Sequence, residues 1–193
     1  MRPFSKKKDT LSRKGKGASV NYTGMTWSGF RPSDDSCKYG YLVPANMFAY
    51  VVLGYISEIS TEIYKDAELA RKSEKLMKEI KDGIDKYAVV SDGDGKSFYA
   101  YETDGTGKYN LMDDANVPSL LSLPYLGYCE ADDEMYINTR NFILSKSNPY
   151  YYEGIKAKGI GSPHTPKNHI WPIALSMQGL TSSDKDEMLS LIK

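Results

Sequence analysis

Met25-Thr-Trp-Ser-Gly-Phe-Arg-Pro-Ser-Asp-Asp-Ser-Cys37, running on to Leu42-Val-Pro-Ala-Asn-Met-Phe48, places an arginine and two adjacent carboxylates just ahead of an apolar helix. Pro44 suits the first turn of that helix, where a missing N–H breaks no hydrogen bond. A second stretch, Met112-Asp-Asp-Ala-Asn-Val-Pro-Ser-Leu-Leu-Ser-Leu-Pro-Tyr-Leu-Gly-Tyr128, repeats the theme. Two carboxylate-rich loops, each leading into an apolar segment, suggest a polar site at one end of a helical scaffold. Carboxylates, amides and aromatics, with only 2 His and 2 Cys, suit sugar chemistry better than metal chemistry.

Working outward, residues 1–43 read as extended and loop structure broken by Gly15, Gly17, Gly24 and Gly29. The helix from Pro44 to about 60 carries Phe48, Val51, Val52, Tyr55, Ile56 and Ile59, and its apolar character nearly all round predicts burial. Lys65 to Tyr87 keeps Leu69, Leu76, Ile80 and Ile84 at three- and four-residue spacing against a charged face, which predicts an outer, amphipathic helix. Phe98-Tyr-Ala-Tyr101 reads as a short strand before a turn at Asp104-Gly105. Helices are predicted over Pro118–Tyr125, Asp133–Ser145 and His169–Leu180, with a last one capped by Ser183 or Asp184. Buried and amphipathic segments thus alternate, which predicts an all-α single domain of helical hairpins in two concentric layers, with short strand and loop insertions.

The 193 residues carry 25 basic and 25 acidic side chains. A zero net charge argues against a nucleic-acid partner. The early cluster Arg2, Lys6, Lys7, Lys8, Arg13, Lys14 and Lys16 reads as a solvated run. No apolar run approaches membrane-spanning length, and no apolar segment follows the N-terminal charges. Two unpaired cysteines fit a reducing compartment, so a cytoplasmic location is expected. Gly159-Ile-Gly161 lacks the partners of a phosphate loop, and Asp92-Gly-Asp94-Gly lacks the distal ligands of a calcium loop.

Five stretches carry a family resemblance: Gly24-Met-Thr-Trp-Ser-Gly-Phe-Arg-Pro-Ser-Asp-Asp35, Pro44-Ala-Asn-Met-Phe-Ala49, Met112 to Leu121, Gly159-Ile-Gly-Ser-Pro-His-Thr-Pro166 and Ile170-Trp-Pro-Ile-Ala174. In this order they resemble glycoside hydrolase family 125, from about Asp9 to the C-terminus. The resemblance implies a metal-independent, inverting exo-α-1,6-mannosidase on an (α/α)6 toroid, with no cofactor and a terminal α-1,6-linked mannoside as substrate. It also implies the central portion of such an enzyme, about six helices of twelve. The family's general base, a Glu in a His-Glu-Ser-Phe segment, has no counterpart among these residues. A half toroid implies bare apolar flanks on helices such as 44–60 and 169–181, and with them self-association or a complementary chain. A truncated remnant without activity, or a helical interaction module, is the alternative.

The resemblance implies that the general acid is Asp34, with Asp35 as the alternative; from the residues alone the pair serves equally as caps. Arg31 is expected to bridge sugar hydroxyls, to hold one Asp, or to form an ion pair beneath the site. Asp113, Asp114 and Asn116 are implied as sugar ligands, one of them capping the helix near Pro118. Glu102 is implied as a substrate contact, whereas Asp104 reads as a turn acid. Ser162 and His164 read as a hydrogen-bonding cluster at the pocket edge, and Trp27 as an aromatic face for a sugar. His164 and His169 offer too few ligands for zinc.

Overall fold

The computed structural model describes residues 10–192. The basic residues Arg2, Lys6, Lys7 and Lys8 lie outside the described residues. A single turn at Ser12–Gly15 (α1), with left-handed φ at Arg13 and Lys14, precedes a long loop that reaches β1 (Tyr41–Leu42). Helix α2 (Val43–Ile59) then starts on Pro44. Buried Asn46 ties this helix to the loop, donating to the carbonyls of Thr26 and Leu42 at 3.1 and 2.9 Å and accepting from the Thr26 amide at 2.7 Å.

Helix α2 unwinds through a π turn at Ser60–Tyr64, and Lys65 takes a left-handed φ of 56° that reverses the chain. Asp66 caps α3 (Ala67–Tyr87), accepting from the amides of Glu68 and Leu69 at 3.1 and 3.0 Å. The α2–α3 pair is the main helical hairpin. Gly83 of α3 is there because of a close approach: a Cβ on it would run into the Thr23 carbonyl. The segment carrying Met25 and Trp27 is thereby laid directly on α3.

Three small antiparallel sheets follow. β2 (Val89–Ser91) pairs with β3 (Ser97–Tyr99), closed by Asp92, whose Oδ1 accepts from the amides of Asp94 and Lys96. β1 pairs with β4 (Glu102–Thr103), and β4 with β5 (Tyr109–Asn110). β6 (Tyr151–Glu153) pairs with β7 (Lys158–Ile160). Asp133 caps α4 (Glu134–Ile143), and Phe142 of α4 stacks on Phe98 of β3 at 4.5 Å. Helices α5 (Pro172–Leu180) and α6 (Lys185–Ile192) form a second hairpin, knotted by Glu187, which meets Arg140 at 2.8 Å and Gln178 at 2.7 Å.

The expectation of helices with short strand insertions is met in kind but not in number. The scaffold is helix-rich, but seven short strands are present among the described residues where the sequence predicts one. The segment Pro118–Tyr125 is not a helix but a run of turns. Asp113 holds it, accepting from the amides of Leu120 and Leu121 at 2.9 Å each, while Ser122 accepts from the Ser119 amide. The helix predicted from His169 begins only at Pro172. Helix α2 is buried on one side alone: Val43, Met47 and Val51 enter the core, whereas Phe48, Tyr55 and Ile59 are exposed, as are Ile63 and Tyr64 of the π turn. No helix among the described residues is long and apolar enough to cross a membrane.

Asp113 has no exposed surface, and burial pushes its carboxyl up to about 7, against the opposing pull of the two amides. In the unfolded chain the group titrates near 4. Its stabilising contribution is therefore fully present below about pH 4 and is lost as pH rises through about 7. Urea melts of the chain and of Asp113→Asn should show the wild type losing roughly 4 kcal/mol relative to the non-titrating variant across that window. A gap that stays constant with pH refutes this.

Candidate active site

Residues Gly29 to Cys37 form a hairpin closed by a Phe30–Ser36 bridge and by the Cys37 amide on the Gly29 carbonyl at 2.9 Å. The Arg31 amide donates to the Asp35 carbonyl at 2.9 Å, and the Asp34 amide to the Arg31 carbonyl at 3.0 Å. This is the bonding pattern of a three-residue loop, Pro32-Ser33-Asp34. Proline suits the first loop position, and the last asks for a left-handed residue, most often glycine. Asp34 occupies it with φ 66°.

Burial alternates strictly along this loop. Arg31, Ser33 and Asp35 point inward and are buried; Phe30, Pro32 and Asp34 are exposed. Each inward side chain is tied to a different distant segment. The Arg31 Nε meets Glu102 Oε1 of β4 at 2.6 Å. The Ser33 Oγ donates to Asp114 Oδ2 at 2.9 Å. Asp35 Oδ1 lies 3.1 Å from the Nδ1 of His164. The other Glu102 oxygen accepts from the amides of Lys38 and Tyr39 at 2.9 and 3.0 Å. The Asp114 Oδ1 accepts from Asn116 Nδ2 at 3.0 Å, and the Ala115 amide reaches the Gly161 carbonyl at 3.1 Å. The loops at 30–36, 112–116 and 160–165 thus converge on one place.

Burial works against the Arg31 charge, but Glu102 outweighs it and holds the guanidinium above its usual pKa. Among the described residues Arg31 hydrogen-bonds through Nε alone, and its guanidinium stands 5.7 Å over the Tyr101 ring.

Several expected roles change with burial. Of the three readings of Arg31 the ion pair is the one present: its partner is Glu102, and it holds neither Asp34 nor Asp35. Glu102, Asp113, Asp114 and Ser162 expose no surface, so they build the site's frame instead of its lining. Asp113 caps the 118–126 turns, and the Ser162 Oγ accepts from the His164 amide at 3.1 Å. Of the two candidate acids Asp34 is exposed, whereas Asp35 is only 2% exposed and sits behind it. Asn116 is half-buried and His164 exposed. Trp27 is 44% exposed, its ring seated against Gly17, Gly29 and Gly40; a Cβ added at Gly17 or Gly40 would collide with it, and one at Gly29 would crowd it at 3.2 Å. Asp104 closes its own turn through the Thr106 amide at 2.8 Å. Among the described residues no group of three or more His, Cys, Asp or Glu could hold a metal.

Two further residues join the site. Phe30, 46% exposed, stands on the outer face of the hairpin that presents Asp34. The half-buried Tyr150 is the other: its carbonyl accepts from the Gly161 amide at 2.8 Å. Burial raises its hydroxyl pKa, and the charges of Arg31, Asp114 and Asp35 also reach it. The two-residue alternation around Phe30 is the one signal that points to it; Tyr150 stands among the aromatics able to stack on a sugar, but nothing in its spacing singles it out.

A cluster of carboxylates on a rigid hairpin, with an outward acid and a half-exposed aromatic, is equipped for proton transfer to a neutral polyhydroxyl ligand. The comparisons agree. The family model for metal-independent α-mannosidases (GH125) matches residues 1–193. The meiotically up-regulated gene 157 protein of Schizosaccharomyces pombe is 44% identical over 186 residues, which cover 95% of this chain and 36% of that protein. A solved structure from the metal-independent α-mannosidases, the Streptococcus pneumoniae non-productive complex with α-1,6-mannobiose, matches with a TM-score of 0.96 and 51% identity over 100% of this chain and 46% of that one. The chain spans less than half the length of either relative. With all of its residues matched by the family model, and with the family's acidic motif folded into an anchored hairpin, this chain belongs to glycoside hydrolase family 125, the metal-independent α-mannosidases.

Proposed function

We propose that the chain supplies the acid-bearing part of an inverting exo-α-1,6-mannosidase on an (α/α)6 toroid, with Asp34 as the proton donor to the leaving oxygen. One observation carries this reading. Asp34 is the outward carboxylate of the hairpin and occupies a left-handed position that glycine fills at less strain. Aspartate tolerates the left-handed region better than most residues, so this loop position can carry an outward carboxylate. The Streptococcus pneumoniae relative's complex with α-1,6-mannobiose supports the substrate class.

Inversion needs a second carboxylate that activates water about 6.5–9.5 Å from the acid. The His-Glu-Ser-Phe segment that carries it in the family does not occur in these 193 residues, so the base comes from outside them. Arg31, through Nη groups that hydrogen-bond to none of the described residues, and the Tyr150 hydroxyl are proposed to hold sugar hydroxyls; Trp27, Phe30, Asn116 and His164 border them. A second reading, an interaction module without hydrolysis, is favoured by the exposed Phe48, Tyr55, Ile59, Ile63 and Tyr64. On either reading these side chains are covered by a further helical segment or by another copy.

The test of function is mannose release from α-1,6-mannobiose by the chain mixed with the part of the streptococcal relative that it does not cover. Release is expected from the mixture and not from the chain alone. No release from a mixture shown to associate defeats the enzyme reading in favour of the module. In the active mixture Asp34→Asn should lose about 100-fold or more on mannobiose, yet far less on an aryl mannoside whose leaving group needs no proton. If Asp35→Asn shows that signature instead, the acid is Asp35. Asp34→Gly should melt within about 1 kcal/mol of the wild type or above it while losing the same activity. Alone, the chain should self-associate in sedimentation at micromolar concentrations, and Ile63→Lys with Tyr64→Lys should reduce that association.

A further inference from the structure

Glu102 does more than neutralise Arg31. It sits on β4 with no exposed surface and gathers three donors: Arg31 Nε at 2.6 Å and the amides of Lys38 and Tyr39 at 2.9 and 3.0 Å. Those donors lie at opposite ends of one loop. Arg31 opens the turn that carries Asp34, while Lys38 and Tyr39 end the returning strand and lead into β1. A single carboxylate therefore fixes both entry and exit. From Arg31 the constraint passes directly to the acid: the Arg31 carbonyl accepts the Asp34 amide at 3.0 Å, and the Arg31 amide donates to the Asp35 carbonyl at 2.9 Å.

Charge-assisted bonds of this kind are the strong ones, and they are directional. The sheet behind Glu102 is paired on both sides, Leu42↔Glu102 and Glu102↔Asn110, so the anchor has little room to move. Ser33 on Asp114 and Asp35 on His164 hold the loop between its entry and exit.

We propose that Glu102 is the positioning residue of this site: it meets no substrate, and it aims Asp34 by clamping both ends of the hairpin. This rests on the reading of Asp34 as proton donor. A displacement of about 1 Å at a reacting group is enough to lose roughly 100-fold in rate, so a clamp at this place bears on the protonation step.

Glu102→Gln tests it. The variant keeps the shape and one carbonyl oxygen for the amides, but sets an NH2 group against the Arg31 N–H. In the chain itself, hydrogen exchange at the Asp34, Lys38 and Tyr39 amides should quicken by about 10-fold or more, with the α3 amides unchanged. In the complemented mixture, kcat on mannobiose should fall by about 100-fold, with kcat on the activated aryl mannoside and both KM values within roughly 3-fold. Equal loss on both substrates, with faster exchange throughout α3, would mean a purely structural ion pair and overturns the proposal. A change confined to KM would mean direct sugar contact and overturns it as well. Should Glu102→Gln fail to fold, the Arg31→Met/Glu102→Gln pair removes the unmatched charge; wild-type exchange at the Asp34, Lys38 and Tyr39 amides in that variant would refute the clamp. If Asp34→Asn shows no leaving-group dependence, the acid assignment fails on its own, and the exchange data still decide whether Glu102 holds the loop.

Discussion

The Arg31–Glu102 ion pair is the contact on which the site's geometry depends. Taking two charges out of water is costly, and the cost is met only when every remaining donor and acceptor finds good geometry. Glu102 meets that condition with both oxygens occupied, one by Arg31 and the other by two backbone amides. Replacing either partner alone would strand a buried charge. The pair joins a loop ahead of α2 to a strand 71 residues later, and so fixes where the α2–α3 hairpin stands relative to the β1–β4–β5 sheet. The Ser33–Asp114 and Asp35–His164 contacts add a third and a fourth segment to the same hairpin. Hydrophobic burial of Leu42, Val43, Met47 and Tyr101 stabilises the scaffold beneath, but it does not by itself decide which side chain faces outward.

The helices were legible where their periodicity was strong. The amphipathic stripe of α3 follows from spacing, whereas the Asp66 and Asp133 caps emerge only in the structure. Of the strands only the one at Phe98–Tyr101 was legible, overlapping β3; the others, of two or three residues, are too short to show a period. Pro118–Tyr125 misled for a different reason: its apolar residues fit a helix, but the Asp113 carboxylate and the two serines satisfy the backbone amides in turns. The site was half legible. Its residue types are in the motif, yet the sorting into frame and face is not. The inward residues of the hairpin are polar, and each is satisfied by a partner 71, 81 or 129 residues away. A polar residue that is buried because of a distant partner leaves no hydrophobic pattern to read.

The apolar face of α2 shows how folding and function share one surface. An inner helix of a layered helical fold carries apolar residues on more than one side, because it meets neighbours on more than one side. In this chain one side meets α3 and the loops of the site, and the other is exposed at Tyr55, Ile59, Ile63 and Tyr64. The same helix begins at the sheet strand that pairs with Glu102, so whatever packs on its open side also bears on the hairpin that carries Asp34.

The chain holds just two tryptophans, and both sit on the loops that frame the site. Trp27 lies edge-on among Gly17, Gly29 and Gly40, and Trp171 donates its indole N–H to Thr165 Oγ1 at 3.0 Å, one residue beyond His164. Indole emission responds to polarity and to hydrogen bonding at the ring nitrogen. The protein therefore carries its own optical reporters: one on the segment leading into the Asp34 hairpin, the other on the loop that meets Asp35, with no third fluorophore of the kind to blur them.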